Sequence, residues 1–186
     1  MAFKIFSIIF GWAALITGCT GIPEGLEPVN GFEPGRYLGK WYEIARLDHS
    51  FERNLSNVSA TYTRQENGDI RVQNKGFNAK TGAWKQIEGH ARFLKSDRIG
   101  SLKVSFFGPF YGGYHVVALD KETYSYSMVA GPSRSYLWIL SRTRTLDDSI
   151  YAGLVEMAGE WGFDTTKLIK VRTTCRATEC NLHIIQ

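Results

Sequence analysis

The sequence is poor in the residues and patterns that support catalysis. It has three cysteines and four histidines in all: Cys19, Cys175, Cys180, His49, His90, His115 and His183. No two histidines have the spacing of metal ligands, and the sequence contains no Gly-x-Ser-x-Gly, P-loop or dinucleotide-binding fingerprint. We therefore expect no enzymatic activity, no metal and no cofactor. The histidines are expected to have ordinary surface or rim roles.

The charge pattern also excludes one class of partner. The formal net charge is +4, but lysine and arginine are scattered among acidic residues and form no basic block. Because a nucleic-acid-binding protein needs a clustered basic face, we expect no nucleic-acid partner. Hydrophobic residues make up 44% and charged residues 22% of the chain, which is typical of one folded globular domain.

The N-terminus has the pattern of a targeting signal. Lys4 precedes an apolar stretch at residues 5–16 that is too short to span a bilayer. The following Ile16-Thr17-Gly18-Cys19 resembles the lipobox of bacterial lipoproteins. This resemblance implies that residues 1–18 are a signal peptide and that Cys19 carries the lipid anchor. The alternative, a secretory signal with an incidental cysteine, stays open. Because Thr20 follows, and not the Asp of inner-membrane lipoproteins, we predict the outer membrane, facing the periplasm.

The regions that flank the predicted domain lack strand patterns. Residues 19–35 contain three prolines and several glycines, which predicts a tether to the membrane. The folded domain is expected over residues 36–172 and a tail over residues 173–186. Cys175 and Cys180 lie in that tail and could form a local disulfide in an exported protein, but the sequence does not decide whether they pair.

From residue 36 onward the sequence alternates between apolar and polar residues in short runs. Val58, Ala60 and Tyr62, for example, alternate with polar neighbours, and turn signals such as Asn67-Gly68 separate the runs. One helical stretch follows eight such strands, beginning near Asp147 and ending at Gly162, and a short strand comes after it. The pattern predicts an all-β fold of eight short antiparallel strands, as a barrel or a sandwich, with one C-terminal helix packed on its side and a short ninth strand.

Three motifs in these strands resemble the lipocalin family. The run from Gly39 to Glu43 contains the Gly-x-Trp signature with Trp41, and Arg142 ends the eighth strand. Leu119-Asp120 is similar to the family's Thr-Asp-Tyr region, with Asp120 as the shared residue. The longer runs 39–46 and 131–142 look especially like the bacterial outer-membrane lipoproteins of this family. The resemblance implies an eight-stranded antiparallel up-and-down barrel, in which Trp41 plugs the closed end and Arg142 lies across it in a structural cation–π contact.

Within this layout, strand parity predicts an apolar inward face that takes a fatty acid or lysophospholipid. Burial of an acyl chain is favourable by about 0.8 kcal/mol per CH₂. The alternative is a barrel filled by its own side chains, but the small residues Ala45, Ala60, Gly89 and Ala91 favour open space. The predicted ligand-binding residues are Glu43, Ala45, Val58, Ala60, Val72, Ile87, Ala91, Leu102, Val104, Phe106, Tyr114, Val116, Met128, Tyr136 and Trp138.

An aromatic loop at residues 106–113 is expected at the mouth of the barrel. We predict that it guides amphipathic lipids into the cavity, with Arg53 or Arg134 meeting a phosphate. Alternatives are local packing under the loop, or a non-enzymatic interaction module that docks a partner or a second copy as a homodimer. The predicted mouth residues are Phe51, Arg53, Phe110, Tyr111 and Arg134.

Overall fold

The computed structural model describes residues 20–173. The predicted signal peptide, Cys19, Cys175, Cys180 and His183 lie outside the described residues. In chain order the elements are α1 (Pro34–Tyr37), β1 (Gly39–Leu47), β2 (Leu55–Arg64), β3 (Ile70–Asn78), β4 (Ala83–Phe93), β5 (Ser101–Phe107), β6 (Phe110–Leu119), β7 (Tyr126–Ala130), β8 (Leu137–Ser141), α2 (Asp148–Glu160), a 3₁₀ turn (Thr165–Lys167) and β9 (Leu168–Lys170).

Strands β1 to β8 close into an antiparallel barrel, which confirms the predicted fold class. Strands β2 to β8 pair in sequence order, and β1 pairs with both β8 and β2. The first half of β1 pairs with β2, whereas residues 45–47 pair with β9. The short ninth strand therefore continues the sheet where β1 and β2 separate. Closure leaves no long edge strand unpaired.

A β-bulge in β1 changes which side chains face the barrel interior. Trp41 and Glu43 point inward, and the register against β8 shifts between Glu43 and Ala45. Beyond the bulge, Ala45 packs in the cluster beneath helix α2, and Arg46 turns inward to meet Glu43. The prediction that Ala45 faces the ligand is wrong because a bulge inverts strand parity.

Met128 also packs on the outer wall, so its predicted inward position is wrong. It pairs with Ala118 and Ile139 and is fully buried in the cluster that contains helix α2. Its neighbour Ser127 points inward instead and contacts the hydroxyl of Tyr37. Because the helix covers this part of the wall, both faces of β7 are buried. The alternation of polar and apolar residues therefore does not distinguish inside from outside here.

Helix α2 covers one side of the barrel, as predicted. It begins after Asp147, whose carboxylate accepts hydrogen bonds from the backbone N–H groups of Ser149 and Ile150. Leu154 and Ala158 bury its apolar face against the outer wall. Among residues 20–173, no helix combines the length and hydropathy needed to cross a bilayer.

The segment before α1 packs against the barrel for most of its length. Val29 N donates to Val116 O at 2.8 Å, Gly100 N donates to Val29 O at 2.9 Å, and Phe32 N donates to the Arg98 carbonyl at 2.9 Å. Phe32 is buried, and so is Leu26 earlier in the segment. The prediction of a tether over residues 19–35 is therefore wrong for this part, because its apolar side chains dock despite the prolines and glycines.

Candidate ligand-binding site

Trp41 and Arg142 seal one end of the barrel, and the predicted contact between them is present. The guanidinium carbon of Arg142 lies 3.9 Å from the ring centroid of Trp41. Trp41 is fully buried, and its Nε1–H donates to the carbonyl of Tyr37 at 2.8 Å. The Arg142 guanidinium also donates to the carbonyl oxygens of Lys40, Arg36 and Tyr124. This end is the closed end.

The other two signature residues have structural roles at the same end. Gly39 has φ +91°, a backbone conformation that favours glycine, and it lies beside Nη1 of Arg142. Asp120 accepts hydrogen bonds from Glu122, Thr123 and Ser125 in the turn after β6. Although burial raises its pKa, the hydrogen bonds from Ser125 and Thr123 hold the pKa of Asp120 well below its usual range.

Three tyrosine hydroxyls form a polar layer next to Trp41. Tyr114 Oη lies 2.8 Å from Tyr37 Oη and 2.9 Å from Tyr62 Oη, and Tyr37 Oη lies 3.2 Å from Ser127 Oγ. Burial raises the pKa of Tyr37 to about 12 and also raises the pKa values of Tyr62 and Tyr114, so all three keep their protons at neutral pH. The void beside this layer is about 10 Å³, which is room for about one water.

Several predicted ligand-binding residues belong to this packed half. Val72, Ala91, Leu102 and Val116 are buried in the inner cluster with Trp41. Gly89 does not mark open space either. An added Cβ there would collide with the carbonyl of Ser105 and lie 2.7 Å from the ring of Phe106. Any ligand must therefore lie in the opposite half of the barrel.

That opposite half is open, and its apolar side chains keep contact with solvent. Ala60, Val104, Phe106 and Tyr114 pack against the inner cluster but are only partly buried. Ile87 has the inward parity of Ala91 and is 37% exposed. Val58 lies beside the inward position of Gly76 at the edge of this region and is buried. Inward-facing apolar side chains that stay exposed mark unfilled space, so strands β2 to β6 form an apolar wall of an open lumen.

A buried charged cluster lies on the other wall of the open half, and sequence reasoning found only Glu43 of it. Arg46 Nη1 donates to Glu43 Oε1 at 2.6 Å, and Nη2 donates to the Glu52 carbonyl at 2.9 Å. Trp138 Nε1 donates to Glu52 Oε2 at 3.0 Å, and His49 Nε2 lies 3.0 Å from the same oxygen. The side chains of Glu43, Arg46, His49 and Glu52 are each less than a tenth exposed. We call these four residues and Trp138 the mouth cluster.

The mouth cluster holds more negative than positive groups. Burial and the nearby Glu52 raise the pKa of Glu43 to about 8, although Arg46 acts in the opposite direction. Because a buried surplus charge is costly, this site favours the protonated form of Glu43 more than water does. The contact between His49 and Glu52 is poorly aligned, so neither ring nitrogen of His49 makes a hydrogen bond within residues 20–173.

One sequence signal for this cluster is present but misleading. Glu43 and Arg46 are charged residues in an otherwise apolar strand, three positions apart. In a regular strand, residues at this spacing lie on opposite faces. Only the bulge between Glu43 and Ala45 brings the two side chains together inside the barrel. The sequence does not specify the position of that bulge, so the pairing could not be predicted from it.

Exposed phenylalanines surround the mouth. Phe107 and Phe110, at the tip of the β5–β6 hairpin, are 72% and 74% exposed. Phe51, in the loop between β1 and β2, is 61% exposed and stacks on His49 with ring centroids 4.0 Å apart. The first described residue, Thr20, lies beside Gly113 on β6, close to the same hairpin. The mouth and the start of the described chain therefore lie near each other.

Two predicted mouth residues have other roles. The hydroxyl of Tyr111 forms a hydrogen bond of 2.8 Å with Nε2 of His90 on the outer wall of the barrel. Arg134 donates to the carbonyl oxygens of Trp161 and Glu24, at 2.7 and 2.6 Å, and so fastens the end of helix α2. The prediction that Arg134 meets a phosphate is therefore wrong, since both contacts commit its guanidinium to backbone carbonyls.

The remaining predicted mouth residues lie near the rim. Arg53 pairs with Asp48 at 2.9 Å, and both side chains are exposed. Tyr136 stacks on Trp138 with ring centroids 6.2 Å apart, next to the mouth cluster.

Two histidines contradict the expected surface role. His49 is buried in the mouth cluster. His115 is buried between Ser101 Oγ, 2.9 Å from its Nδ1, and the Gly21 carbonyl, 2.8 Å from its Nε2. Docking of the N-terminal segment covers His115, which the sequence pattern did not reveal. Within the described part of the chain, no three His, Cys, Asp or Glu side chains form a group that could hold a metal ion.

A barrel sealed at one end and open at the other, with an apolar wall in the open half, defines a small carrier of hydrophobic ligands. A lipocalin-like domain model matches residues 32–173. The chain therefore belongs to the lipocalin family, whose members are in general ligand-binding carriers.

Relatives in bacteria and plants support this assignment. The chain is 53% identical over 160 residues to outer membrane lipoprotein Blc of Vibrio cholerae, covering 86% of this chain and 94% of the relative. It is 40% identical over 167 residues to temperature-induced lipocalin-1 of Arabidopsis thaliana, covering 84% and 87%. Insecticyanin from the tobacco hornworm Manduca sexta superposes with a TM-score of 0.66 at 19% identity, covering 87% of this chain and 90% of that chain. That last likeness shows the fold alone.

Proposed function

We propose that this protein is an outer-membrane-anchored lipocalin that stores or transports single-chain lipids, fatty acids or lysophospholipids, for envelope maintenance. The observation that carries the proposal is the contrast between the two halves of the barrel. The closed half is packed, whereas the inward-facing Ala60, Ile87, Val104 and Phe106 of the open half remain partly exposed. The lumen accordingly has room for an acyl chain only on the mouth side of the tyrosine layer. Among the predicted ligand-binding residues, those of the open half are the ones proposed to contact it.

Lipid attached to Cys19 supplies the membrane anchor in this proposal. The relatives named Blc are outer membrane lipoproteins. One acyl chain holds a protein only marginally at a membrane, whereas two or more hold it stably. Substitution C19A should release the protein from the outer membrane into the periplasmic fraction. Retention of C19A in the membrane fraction would contradict the anchor.

The proposed role is binding rather than catalysis. The mouth cluster consists of two glutamates, an arginine, a histidine and a tryptophan, and none of these five members is a thiol or hydroxyl nucleophile. Glu43 is bonded to Arg46, which leaves it a structural and electrostatic role.

Native mass spectrometry with lipid extraction tests lipid binding directly. The measurement can use residues 20–186, because this range includes every strand and both α-helices of the described structure. We expect a stoichiometric fatty acid or lysophospholipid after purification from a bacterial host. Substitution A60W should fill the lumen and abolish co-purification. The control T61W places the same ring at the next position of β2, on the outer face of the barrel, and should leave lipid binding intact. A lipid-free wild type that takes up no fluorescent fatty acid would overturn the proposal.

A second function is favoured by one observation, the exposure of Phe107 and Phe110 at the tip of one hairpin. Such a patch could dock a partner protein or a second copy of the chain. Analytical ultracentrifugation separates the two functions. A concentration-dependent dimer that disappears in F107S/F110S, together with a lipid-free barrel, would favour the interaction module over the carrier.

A further inference from the structure

We propose that the mouth cluster is a binding site for the ammonium group of a single-chain lipid, and that it selects amine-bearing head groups over free fatty acids. This inference rests on the proposed carrier function and specifies its ligand class. The site consists of Glu43, Arg46, His49 and Glu52 with Trp138.

The charge of the cluster is the first argument. Two carboxyl groups face one guanidinium, and the side chains are nearly excluded from water. With a neutral His49, such a buried arrangement lacks one positive charge, which a proton or a cation can supply. An ammonium group entering from the mouth would take the place of that proton and leave two buried ion pairs. A carboxylate would instead add a negative charge beside two carboxyl groups.

The hydrogen bonds around Arg46 are the second argument. A fatty acid would need a cation with free donors, but Nη1 of Arg46 is bonded to Glu43 and Nη2 to the Glu52 carbonyl. The remaining donor, Nε, is buried without a partner in the described chain. The guanidinium is thus held by acceptors of this protein, and it is poorly placed to pair with a ligand carboxylate.

Aromatic rings supply the third argument. His49 lies 5.1 Å from Trp138 and 6.0 Å from Tyr136 between ring centroids, and Phe51 stacks on its other side. Electron-rich ring faces next to a carboxylate are the surroundings that attract organic cations in proteins. Nδ1 of His49 is buried without a hydrogen bond among residues 20–173, and Nε2 has only its 3.0 Å contact with Glu52, which leaves a polar atom at this site for a ligand to satisfy.

The position of the cluster completes the argument. It lies on the β1 and β8 wall and the following loop, whereas the apolar wall of the open lumen lies on β2 to β6. An amphipathic lipid can therefore place its chain against Ala60 and Val104 while its head group meets Glu52. Neither a purely apolar ligand nor an anion uses both walls.

A matched series of ligands tests the proposal on residues 20–186 at neutral pH. Displacement of N-phenyl-1-naphthylamine would be measured for tetradecylamine, myristate, monomyristin and myristoyl lysophosphatidylethanolamine, below their critical micelle concentrations. We expect the wild type to bind tetradecylamine at least about tenfold more tightly than myristate. If the zwitterionic head group of myristoyl lysophosphatidylethanolamine uses the same site, E52Q should weaken the binding of this lipid as well as the binding of tetradecylamine.

The variants separate a specific site from a general effect. E52Q should lose about tenfold in affinity for tetradecylamine while monomyristin binds within about twofold of wild type. The control E88Q, at an exposed outer-wall carboxylate paired with Arg71, should change neither. Equal or tighter binding of myristate by the wild type, or an unchanged amine affinity in E52Q, would overturn the ammonium site while leaving the carrier intact. Failure of monomyristin to bind the wild type would instead overturn the carrier function and this inference with it.

Discussion

Arg142 and Trp41, 101 positions apart in the sequence, close the barrel as a single unit, with the guanidinium 3.9 Å above the indole ring. The guanidinium also donates to three backbone carbonyls from α1, β1 and the β6–β7 turn. One side chain therefore joins the end of β8 to three other segments. The contact covers the buried Trp41 and so closes this end of the barrel.

Loss of this side chain should destabilise the fold without changing the ligand preference. R142A removes the cation–π contact and leaves carbonyl acceptors unpaired, so we expect the free energy of unfolding to fall by about 2–4 kcal/mol. R142K keeps the charge but not the planar fork and should fall between wild type and R142A. Urea unfolding followed by fluorescence measures both. The control R71A breaks only an exposed ion pair and should cost at most about 1 kcal/mol. A similar loss in R71A and R142A would contradict the role of Arg142.

Glu43 should make the stability of the lipid-free protein depend on pH. Its pKa is 4.5 in the unfolded chain and about 8 in the folded one, so the folded state binds more protons between these values. The free energy of unfolding should therefore fall as pH rises from about 4.5 to 8, by up to about 1.4 kcal/mol per pH unit. The charged groups that face Glu43 are Arg46 and Glu52, and the Tyr62 hydroxyl senses both carboxyls.

E43Q isolates this contribution, because Gln keeps the shape of the side chain but does not titrate. The variant should show a flatter dependence of unfolding free energy on pH over the same range. The comparison requires delipidated protein, since a bound ammonium group would replace the proton. Parallel wild-type and E43Q curves across this range would show that Glu43 is ionised in the folded state at neutral pH.

The alternation of apolar and polar residues was sufficient to predict the strands, and the resemblance to lipocalins decided for a barrel over a sandwich. The pattern predicted eight strands, the helix after Asp147 and the short last strand in the order that the structure contains them. Alternation reports side-chain parity only while the strand stays regular and one face meets water. It therefore failed at Ala45, beyond a bulge, and at Met128, where helix α2 buries the outer face. Glu43 and Trp138 of the mouth cluster were predicted to face inward, but Arg46 was missed for the first of these reasons, because the same bulge turns it inward.

The corrected position of Ala45 can be checked by enlarging its side chain. A45L should overpack the space beneath helix α2 and lower the free energy of unfolding by about 1–3 kcal/mol, with lipid affinity unchanged. A60L is the matched control inside the lumen and should show the reverse pattern, weaker lipid binding with little loss of stability. Thermal unfolding and probe displacement on the same samples measure both properties. Weaker lipid binding in A45L at full stability would place Ala45 back on the inner wall.

The exposed phenylalanines of the β5–β6 hairpin should govern how lipid enters from a membrane. Thr20 lies beside Gly113, so a lipid anchor at the preceding residue would hold this hairpin close to the bilayer. Apolar rings that dip into the bilayer surface shorten the path of an acyl chain into the lumen.

In F107S/F110S we expect several-fold slower transfer of a fluorescent lysophospholipid from vesicles, at an equilibrium affinity within about twofold of wild type. Stopped-flow transfer measurements follow the rate. I169S removes an exposed apolar side chain from β9, which pairs with β1 and does not contact the β5–β6 hairpin through the sheet, and should leave transfer unchanged. Equal slowing in both variants would mean that general surface hydrophobicity, and not the mouth, controls uptake.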